Sequence, residues 1–194
     1  MPLLPIEPFV FPDDLFTAPG APEETSCWWA LHTRPRAEKA LARKLLGQEV
    51  SYFLPLHKRQ WRSRGRLLCS YAPLFTGYLF LRGDHDARRQ ALETNLVANC
   101  LPVPDPGQLR ADLLGVYQLM TSGAPLTPEE RLQPGTRVAI ISGPLAGLEG
   151  TVLRSGTRMR IYVEVQFLRQ GVSAEVEAWM IRPLETARPT AAIA

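Results

Sequence analysis

The apolar residues of the chain are densest at 73–82, Pro-Leu-Phe-Thr-Gly-Tyr-Leu-Phe-Leu-Arg. After the Pro/Gly turn signal, this pattern predicts a short strand that begins at Tyr78. Because side chains alternate along a strand, Tyr78, Phe80 and Arg82 share one face, and the two leucines between them share the other. We expect helices to cover one face. The two rings on the other face either pack in a core or contact a partner.

The segments around this strand alternate between strand and helix patterns. Helices are predicted where apolar residues recur at the helical period, and strands where short apolar runs end at Pro or Gly. In chain order we predict a strand at 28–33, a helix at 35–48, a strand at 50–54, a hairpin at 57–71 with its tip at Gly65, the strand from Tyr78, a helix from Asp84 or Asp86 to residue 95, a strand at 97–101 and a helix at 109–120. This order predicts an α/β sandwich in which helices cover one face of a mainly antiparallel sheet.

The pattern changes after residue 121. Residues 122–134 contain Gly123, Pro125, Pro128 and Pro134 without an apolar period, which indicates a linker between two domains. From 135 to 185, apolar and polar residues alternate in five short segments, and this alternation predicts a small β-barrel. We therefore predict an α+β fold, with a first domain at 27–121, a second domain at 135–185, and disordered tails at 1–26 and 186–194.

The amino-terminal tail differs from the rest of the chain in proline content and in charge. Residues 1–26 hold six of the 18 prolines, a composition typical of disordered segments. All 22 Lys and Arg residues lie beyond residue 27, so an acidic tail precedes a basic body that suits a polyanion or an acidic protein surface. Residues 8–16 mix aromatic and acidic side chains, and they either dock on a partner or lie on the chain's own basic surface.

The predicted hairpin concentrates positive charge around one aromatic ring. Such a run is either a solvated face or a contact for a nucleic-acid backbone. A stacking ring among cations is typical of sites for single-stranded nucleic acid. The residues concerned are Lys58, Arg59, Trp61, Arg62, Arg64 and Arg66.

The sequence has no residue pattern typical of a catalytic or metal site. The glycine-rich residues 143–150 lack the Gly-Lys-Ser/Thr ending of a phosphate-binding loop. The three histidines have no metal-ligand spacing, and residues 84–86, Asp-His-Asp, are interpreted as a helix cap. The three cysteines form no C-x-x-C pair, which indicates unpaired thiols in a reducing cytoplasm. We expect a cytoplasmic protein that is not an enzyme, uses no cofactor or metal and does not enter a membrane.

Three motifs, taken in chain order, resemble the NusG family. Residues 28–36, Trp-Trp-Ala-Leu-His-Thr-Arg-Pro-Arg, look like the opening of a NusG amino-terminal domain. Residues 73–81 are similar to that family's most recognisable strand, although Thr76 stands where proline is usual. Residues 135–138 and 143–150 look like a KOW motif, and the resemblance covers about residues 28–185.

The resemblance implies a transcription elongation factor whose second domain is an SH3-like KOW barrel. In that family, the amino-terminal domain binds the clamp helices of RNA polymerase and bridges the cleft to the opposite lobe, which favours processive elongation. The positions that match the clamp-helix contacts are Trp29, His32, Phe75, Tyr78 and Phe80. Those that match the contacts to the opposite lobe are Arg88, Arg89 and Gln90. The basic hairpin falls beside the non-template DNA strand.

The resemblance also implies a partner for the second domain. KOW domains of this type recruit termination factor Rho or a ribosomal small-subunit protein, and the matching positions are Leu148, Phe167 and Leu168. Housekeeping members usually have glycine at the position of Leu168. With the proline-rich acidic tail and Thr76, this departure points to a specialised paralogue, and specialised members of the family act as antiterminators on particular operons. We expect the protein to be a monomer.

A second interpretation is an RNA-binding or ribosome-associated KOW module that does not bind polymerase. The aromatic strand would then stack bases as an RNA-recognition sheet does. The consensus of that sheet is incomplete, because Arg82-Gly83 follows the aromatic residues instead of preceding them. Binding to RNA polymerase, tested with and without RNA, separates the two interpretations.

Overall fold

The structure, a computed structural model, describes residues 8–17, 27–63, 65–130, 135–155 and 158–184. The amino-terminal part contains β1 (Val10–Phe11), β2 (Cys27–Thr33), α1 (Glu38–Gly47), β3 (Tyr52–Phe53), β4 (Leu56–Ser63), β5 (Arg66–Pro73), β6 (Tyr78–Gly83), α2 (His85–Glu93), β7 (Val97–Leu101) and α3 (Pro106–Thr121). The carboxy-terminal part contains β8 (Leu126–Glu130), β9 (Thr136–Ile140), β10 (Glu149–Ser155), β11 (Arg158–Val165), β12 (Gln170–Val176), a 3-10 turn (Ala178–Met180) and β13 (Ile181–Pro183). The predicted tail at 186–194 lies outside the described residues.

Local sequence signals account for the ends of the helices. Arg36 has a φ of 60°, a left-handed conformation that no helix accommodates, so α1 begins at Glu38 rather than at the predicted residue 35. The backbone N–H of Ala87 donates to the Asp84 carboxylate at 2.8 Å, which confirms the predicted cap of α2. Asp105 caps α3 in the same way, ahead of a proline in the first turn.

The first sheet is antiparallel and has the strand order β1-β3-β6-β2-β7. Helices α1 and α2 cover one face, where Leu31, Leu79 and Leu81 pack with the apolar side of α1. The opposite face was expected to lack helices, but α3 covers it and packs with Ala30 and Phe80. The physical reason is that β6 is apolar on both faces, and each face is stabilised when it is removed from water.

Residues 8–17, which we call the strap, differ from the disorder predicted for residues 1–26. Strand β1 pairs with β3 at the edge of the first sheet, and Leu15 and Phe16 are buried. Proline blocks central strands but not a two-residue edge strand. Residues 8–17 therefore lie on their own chain, as one alternative expected, but they pack against apolar and aromatic side chains and not on the predicted basic surface.

The second sheet is antiparallel, with the strand order β13-β9-β10-β11-β12-β8. It contains one strand more than the five predicted, because β8 forms within the predicted linker at 122–134. Residues 126–130 pair with β12, and Arg160 donates to the Thr127 hydroxyl at 2.7 Å. The closed SH3-like barrel and the division of the chain into two independent domains stay predictions.

Helix α3 joins the two sheets in one apolar cluster. Its residues Leu113 and Val116 pack in the same cluster as Ile161 and Val163 of β11. At Gly115 the two elements are so close that an added Cβ would lie 3.0 Å from a methyl group of Val163. In this arrangement the second sheet therefore packs against the helix that covers the first.

One buried carboxylate adds a polar contact to this apolar interface. The backbone N–H of Gln166 donates to Asp112 at 2.9 Å, and the Gln108 side chain donates to the same carboxylate at 2.7 Å. Burial raises the pKa of the Asp112 carboxyl above its ordinary value, while these two hydrogen bonds act in the opposite direction. The two hydrogen bonds favour the ionised carboxylate, but burial outweighs them, so the folded state as a whole favours the protonated carboxyl.

We predict that Asp112 makes the stability of the protein depend on pH. As the pH rises, the unfolded carboxyl ionises near 3.8, before the folded one, so the free energy of unfolding falls until the raised pKa is passed. Asp112→Asn should remove this fall because an amide does not ionise, while its oxygen can still accept from the Gln166 N–H. Urea unfolding between pH 4 and 8 measures the difference, which should widen with pH. Parallel curves for wild type and Asp112→Asn would contradict the prediction.

We predict that Gly171→Ala destabilises the second sheet. An added Cβ would overlap the Val163 carbonyl oxygen and the Tyr162 ring, an overpacking that costs about 1–3 kcal/mol. The matched control is Gly47→Ala at the end of α1, where nothing lies within 4 Å of the added atom. The control should be neutral or more stable in urea unfolding, because alanine is the better helix former. Equal stability of the two variants would count against this packing.

Candidate functional site

The register of β2 and β6 determines which of the predicted contact residues share a face. Directly opposed residues of an antiparallel pair lie on the same side of the sheet. The opposed pairs on one side are Trp28 with Arg82, Ala30 with Phe80, and His32 with Tyr78. We call this side the ring face.

Two of the residues predicted to contact a partner are buried on the ring face. The Phe80 ring has no exposed surface and the Phe75 ring has 1%, and their centroids lie 6.0 Å apart in an edge-to-face arrangement. Both rings belong to the core that α3 completes. In this conformation the two rings support the surface from within the core and are not themselves exposed on it.

Trp29 lies on the opposite side of the sheet from Tyr78, because it is opposed to Leu81. Its indole N–H donates to the carbonyl of Gly83 at 3.3 Å, and the Arg88 guanidinium lies 5.2 Å from its ring centroid. The resemblance groups Trp29 with Tyr78 and Phe80 as clamp-helix contacts, whereas the strand register places Trp29 on the other face of the sheet and Trp28 on the ring face.

His32 and Tyr78 form the accessible end of the ring face. His32 is exposed and Tyr78 half-buried, and their ring centroids are 5.3 Å apart. Gly77, with a φ of 81°, makes the turn beside them, and its N–H donates to the buried Glu38 carboxylate at 2.8 Å. This hydrogen bond ties the turn to α1, so the two rings have fixed positions. No pattern in the sequence indicated this role of Glu38.

The predicted residues on α2 have different surroundings. Arg88 is half-buried between Trp29 and the Cys100 sulfur, to which it donates at 3.4 Å. Arg89 is exposed and pairs with Asp86 at 3.1 Å and with Glu93 at 3.6 Å. Exposed pairs of this kind contribute little to stability and leave the cation accessible to a partner. Gln90 is half-buried.

The predicted hairpin is present as β4 and β5, which form a two-stranded sheet of their own. Its register divides the predicted cations between two faces. One face carries Arg59, Trp61, Arg66 and Leu68, and the other carries Lys58, Arg62, Leu67 and Tyr71. Trp61 is 46% exposed and Leu67 65%, so apolar side chains as well as cations face the solvent. Arg64 lies outside the described residues.

The base of the hairpin borders a cavity of about 550 Å³. Side chains from the strap, the hairpin and β8 meet there, among them Phe9, His57, Tyr71 and Leu126. Burial, and then the charge of Arg59, lower the pKa of His57 below its ordinary value. This imidazole is therefore neutral at physiological pH, and the positive charge of the hairpin comes from its Lys and Arg residues.

The three residues predicted to bind a partner of the second domain lie in or against the shared core. Leu148 is buried, and Phe167 and Leu168 are half-buried against the same cluster. An added Cβ at Gly115 of α3 would lie 3.4 Å from a methyl group of Leu148. Helix α3 therefore covers Leu148 in this conformation.

The described part of the chain gives no indication of metal chemistry. Within it, no three His, Cys, Asp or Glu side chains come together in a group that would hold a metal ion. The three cysteines are unpaired, Cys27 and Cys69 being exposed and Cys100 half-buried. None of the helices in the described segments combines the length and apolar character needed to cross a membrane.

Comparison with known proteins gives a family for part of the chain. The family model described as "Transcription termination factor nusG" matches residues 26–112. None of the curated proteins matches the chain. The match contains β2, β6 and α2, together with the hairpin, whereas the strap and the second sheet lie outside it.

Two solved structures extend the comparison beyond that domain. "Domain interaction in Thermotoga maritima NusG" is 17% identical, with a TM-score of 0.50, and the alignment covers 84% of this chain and 100% of that one. At this identity the likeness concerns the fold alone. "Crystal Structure of MjSpt4:Spt5 complex conformation B" is 15% identical and covers 82% of this chain and 97% of that one, but its TM-score of 0.26 supports no argument. The predicted resemblance is therefore confirmed, since residues 26–112 of this chain match the NusG family model.

Proposed function

We propose that this protein is a transcription elongation factor that binds RNA polymerase through its first domain and promotes processive elongation or antitermination. The observation that carries the proposal is the NusG family match over residues 26–112. Two of the three motifs that carry the resemblance, residues 28–36 and 73–81, lie within this match. The proposal assigns no catalytic step to the protein.

The clamp helices of polymerase are the proposed partner of the accessible end of the ring face. Support comes from the fixed positions and the exposure of His32 and Tyr78, since aromatic side chains on a rigid base are typical anchors of interfaces. Phe75 and Phe80 support these anchors from within the core in this conformation. Trp29 has a separate role, because its ring holds Arg88 on the side of α2.

The opposite lobe of polymerase is the proposed partner of α2. Arg88, Arg89 and Gln90 project from one helix, and Arg89 is the most accessible of the three. Its pairs with Asp86 and Glu93 are exposed, so a partner carboxylate can replace them at low cost.

The second sheet is the proposed KOW domain, with an SH3-like barrel fold. We propose that it recruits Rho or a ribosomal small-subunit protein through Leu148, Phe167 and Leu168. Because Leu148 lies under α3 in this conformation, recruitment through it requires the second sheet to separate from that helix.

The hairpin is the proposed contact for the non-template DNA strand. Support comes from the face that combines Arg59 and Arg66 with the exposed Trp61 ring, since cations that follow a backbone and a ring that stacks on bases suit single strands. The same combination favours the second candidate, an RNA-binding or ribosome-associated module that does not bind polymerase. A pull-down of purified RNA polymerase before and after nuclease treatment distinguishes the two, because only the second candidate requires RNA.

We predict that His32→Ala and Tyr78→Ala each weaken polymerase binding while the protein stays folded. The two rings are partly exposed, so their truncation removes interface area without opening a large core cavity. Anchors of this kind typically cost about 2 kcal/mol or more. Equilibrium binding to purified polymerase, with circular dichroism to check folding, measures the effect.

The matched control for this test is Phe80→Ala. Its ring is completely buried, so this variant should lose about 3–5 kcal/mol of folding stability. Normal polymerase binding by both His32→Ala and Tyr78→Ala would exclude this end of the ring face as the contact.

We predict that the two faces of the hairpin contribute unequally to DNA binding. The double variant Arg59→Ala/Arg66→Ala removes the cations beside Trp61, and Lys58→Ala/Arg62→Ala removes the same charge from the other face. The first should weaken crosslinking to the displaced strand more strongly. The slope of log binding constant against log salt concentration should also become shallower, by about 0.7 for each lost phosphate contact.

The measurement is a crosslink from the hairpin in a stalled elongation complex, titrated with salt. Polymerase binding itself should change little, because the clamp contacts are assigned to other strands. Equal losses in the two double variants would mean that charge alone, and not the Trp61 face, determines the contact.

A further inference from the structure

The strap binds the first sheet as an added edge strand. The Leu54 N–H donates to the carbonyl of Phe9 at 2.7 Å, and the Tyr52 hydroxyl donates to the carbonyl of Pro8 at 2.9 Å. In register, Val10 is opposed to Phe53. Main-chain pairing at a sheet edge is a common way for a protein to bind an extended peptide.

A second anchor lies at the other end of the strap. Phe16 is 5% exposed, stacks on Trp28 with ring centroids 5.7 Å apart, and meets the edge of Phe53 at 5.0 Å. Beside it, the Arg82 guanidinium donates to the Leu15 carbonyl at 3.1 Å. An aromatic ring in an aromatic pocket, with a charged donor fixing the neighbouring carbonyl, is an arrangement typical of ligand recognition.

The segment between the two anchors is a compact turn. The Leu15 N–H donates to the Pro12 carbonyl at 3.0 Å, and Asp13 and Asp14 at the turn are exposed. The strap thus consists of two anchored ends and one solvated turn. Its buried side chains, Val10, Leu15 and Phe16, all belong to these two anchored ends.

The family match includes residues that contact the strap but not the strap itself. Trp28, Phe53 and Arg82 lie within the matched residues 26–112, whereas the strap lies outside them. Phe16 also contacts the Tyr117 ring of α3, with centroids 5.0 Å apart. The strap therefore adds to the family domain a contact that joins the ring face to the helix covering it.

We propose that the groove formed by the β3 edge, Trp28, Phe53 and Arg82 is a peptide-binding site, and that the strap is its displaceable ligand. The site takes an extended segment with a β-strand end and an aromatic anchor, joined by a turn. While the strap occupies it, Phe16 holds α3 through Tyr117, and release of the strap loosens α3 and uncovers more of the ring face. This last consequence rests on the proposed binding of polymerase by that face.

The first experiment tests the groove without polymerase. A protease site placed between residues 18 and 26 of the full chain allows the strap to be cut free after folding. A labelled synthetic peptide of residues 8–17 should then exchange into the groove and protect the Leu54 amide from hydrogen exchange. A Phe16→Ala peptide should compete at least about tenfold more weakly. A peptide with Asp13→Asn, at the exposed turn, should compete as well as the native one.

Two results would overturn the site. One is failure of the native peptide to bind the cut chain, and the other is equal competition by the Phe16→Ala peptide. The uncut chain is also run on gel filtration at several protein concentrations. A dimer that forms as the concentration rises would show that the strap binds a second copy, and would overturn its action as a ligand of its own chain.

The second experiment tests the effect on polymerase binding. The uncut chain, the cut chain with its strap removed, and the full chain with Phe16→Ala are compared for affinity to purified polymerase. If the strap keeps the ring face covered in most molecules, the last two should bind at least about tenfold more tightly, and added peptide should reverse the gain. Equal affinities would overturn the effect on polymerase while the peptide site stands. If no form binds polymerase, the proposed function fails. The peptide-exchange experiment then decides by itself whether the groove is a peptide-binding site.

Discussion

The constraint on which the rest of the structure depends is that β6 is apolar on both faces. Leu79 and Leu81 need cover on one side and Phe80 needs it on the other, and all three are completely buried. Helices α1 and α2 supply the first cover. The second is assembled from α3 and the strap, so the ring face carries elements that a one-sided sheet would not need. The layers of the fold follow from this requirement.

The same constraint limits where a partner can bind. Most of the ring face is used to stabilise the fold, and His32 and Tyr78 remain at the end that the cover does not reach. A larger contact requires part of the cover to move. Since α3 also packs on β11, any such movement changes the position of the second sheet as well. Polymerase binding and the arrangement of the two sheets are therefore coupled in the proposed function.

The hairpin, unlike the first sheet, is not covered by other elements on both faces. Its two strands pair only with each other among the described residues, and its side chains are mostly exposed. Because no core determines which side chains it carries, both of its faces are free to present cations and apolar groups. Trp61 and Leu67 are exposed and belong to neither buried cluster, and this favours a contact with a ligand. The hairpin can therefore bind while the sheet stays covered.

The sequence by itself determined the order of the helices and strands other than β1 and β8, an aspartate cap at the start of α2, and the hairpin around Gly65, because these depend on neighbours a few residues apart. It also carried the motifs of the NusG resemblance. It did not determine which apolar positions stay accessible. Burial depends on residues distant in the chain: α3 covers Phe80, and the strap pairs with β3 across more than forty positions. The strand register likewise puts Trp29 and Tyr78 on opposite faces of the first sheet. Only the tertiary structure decided these points, since a side chain's exposure is a property of what packs over it.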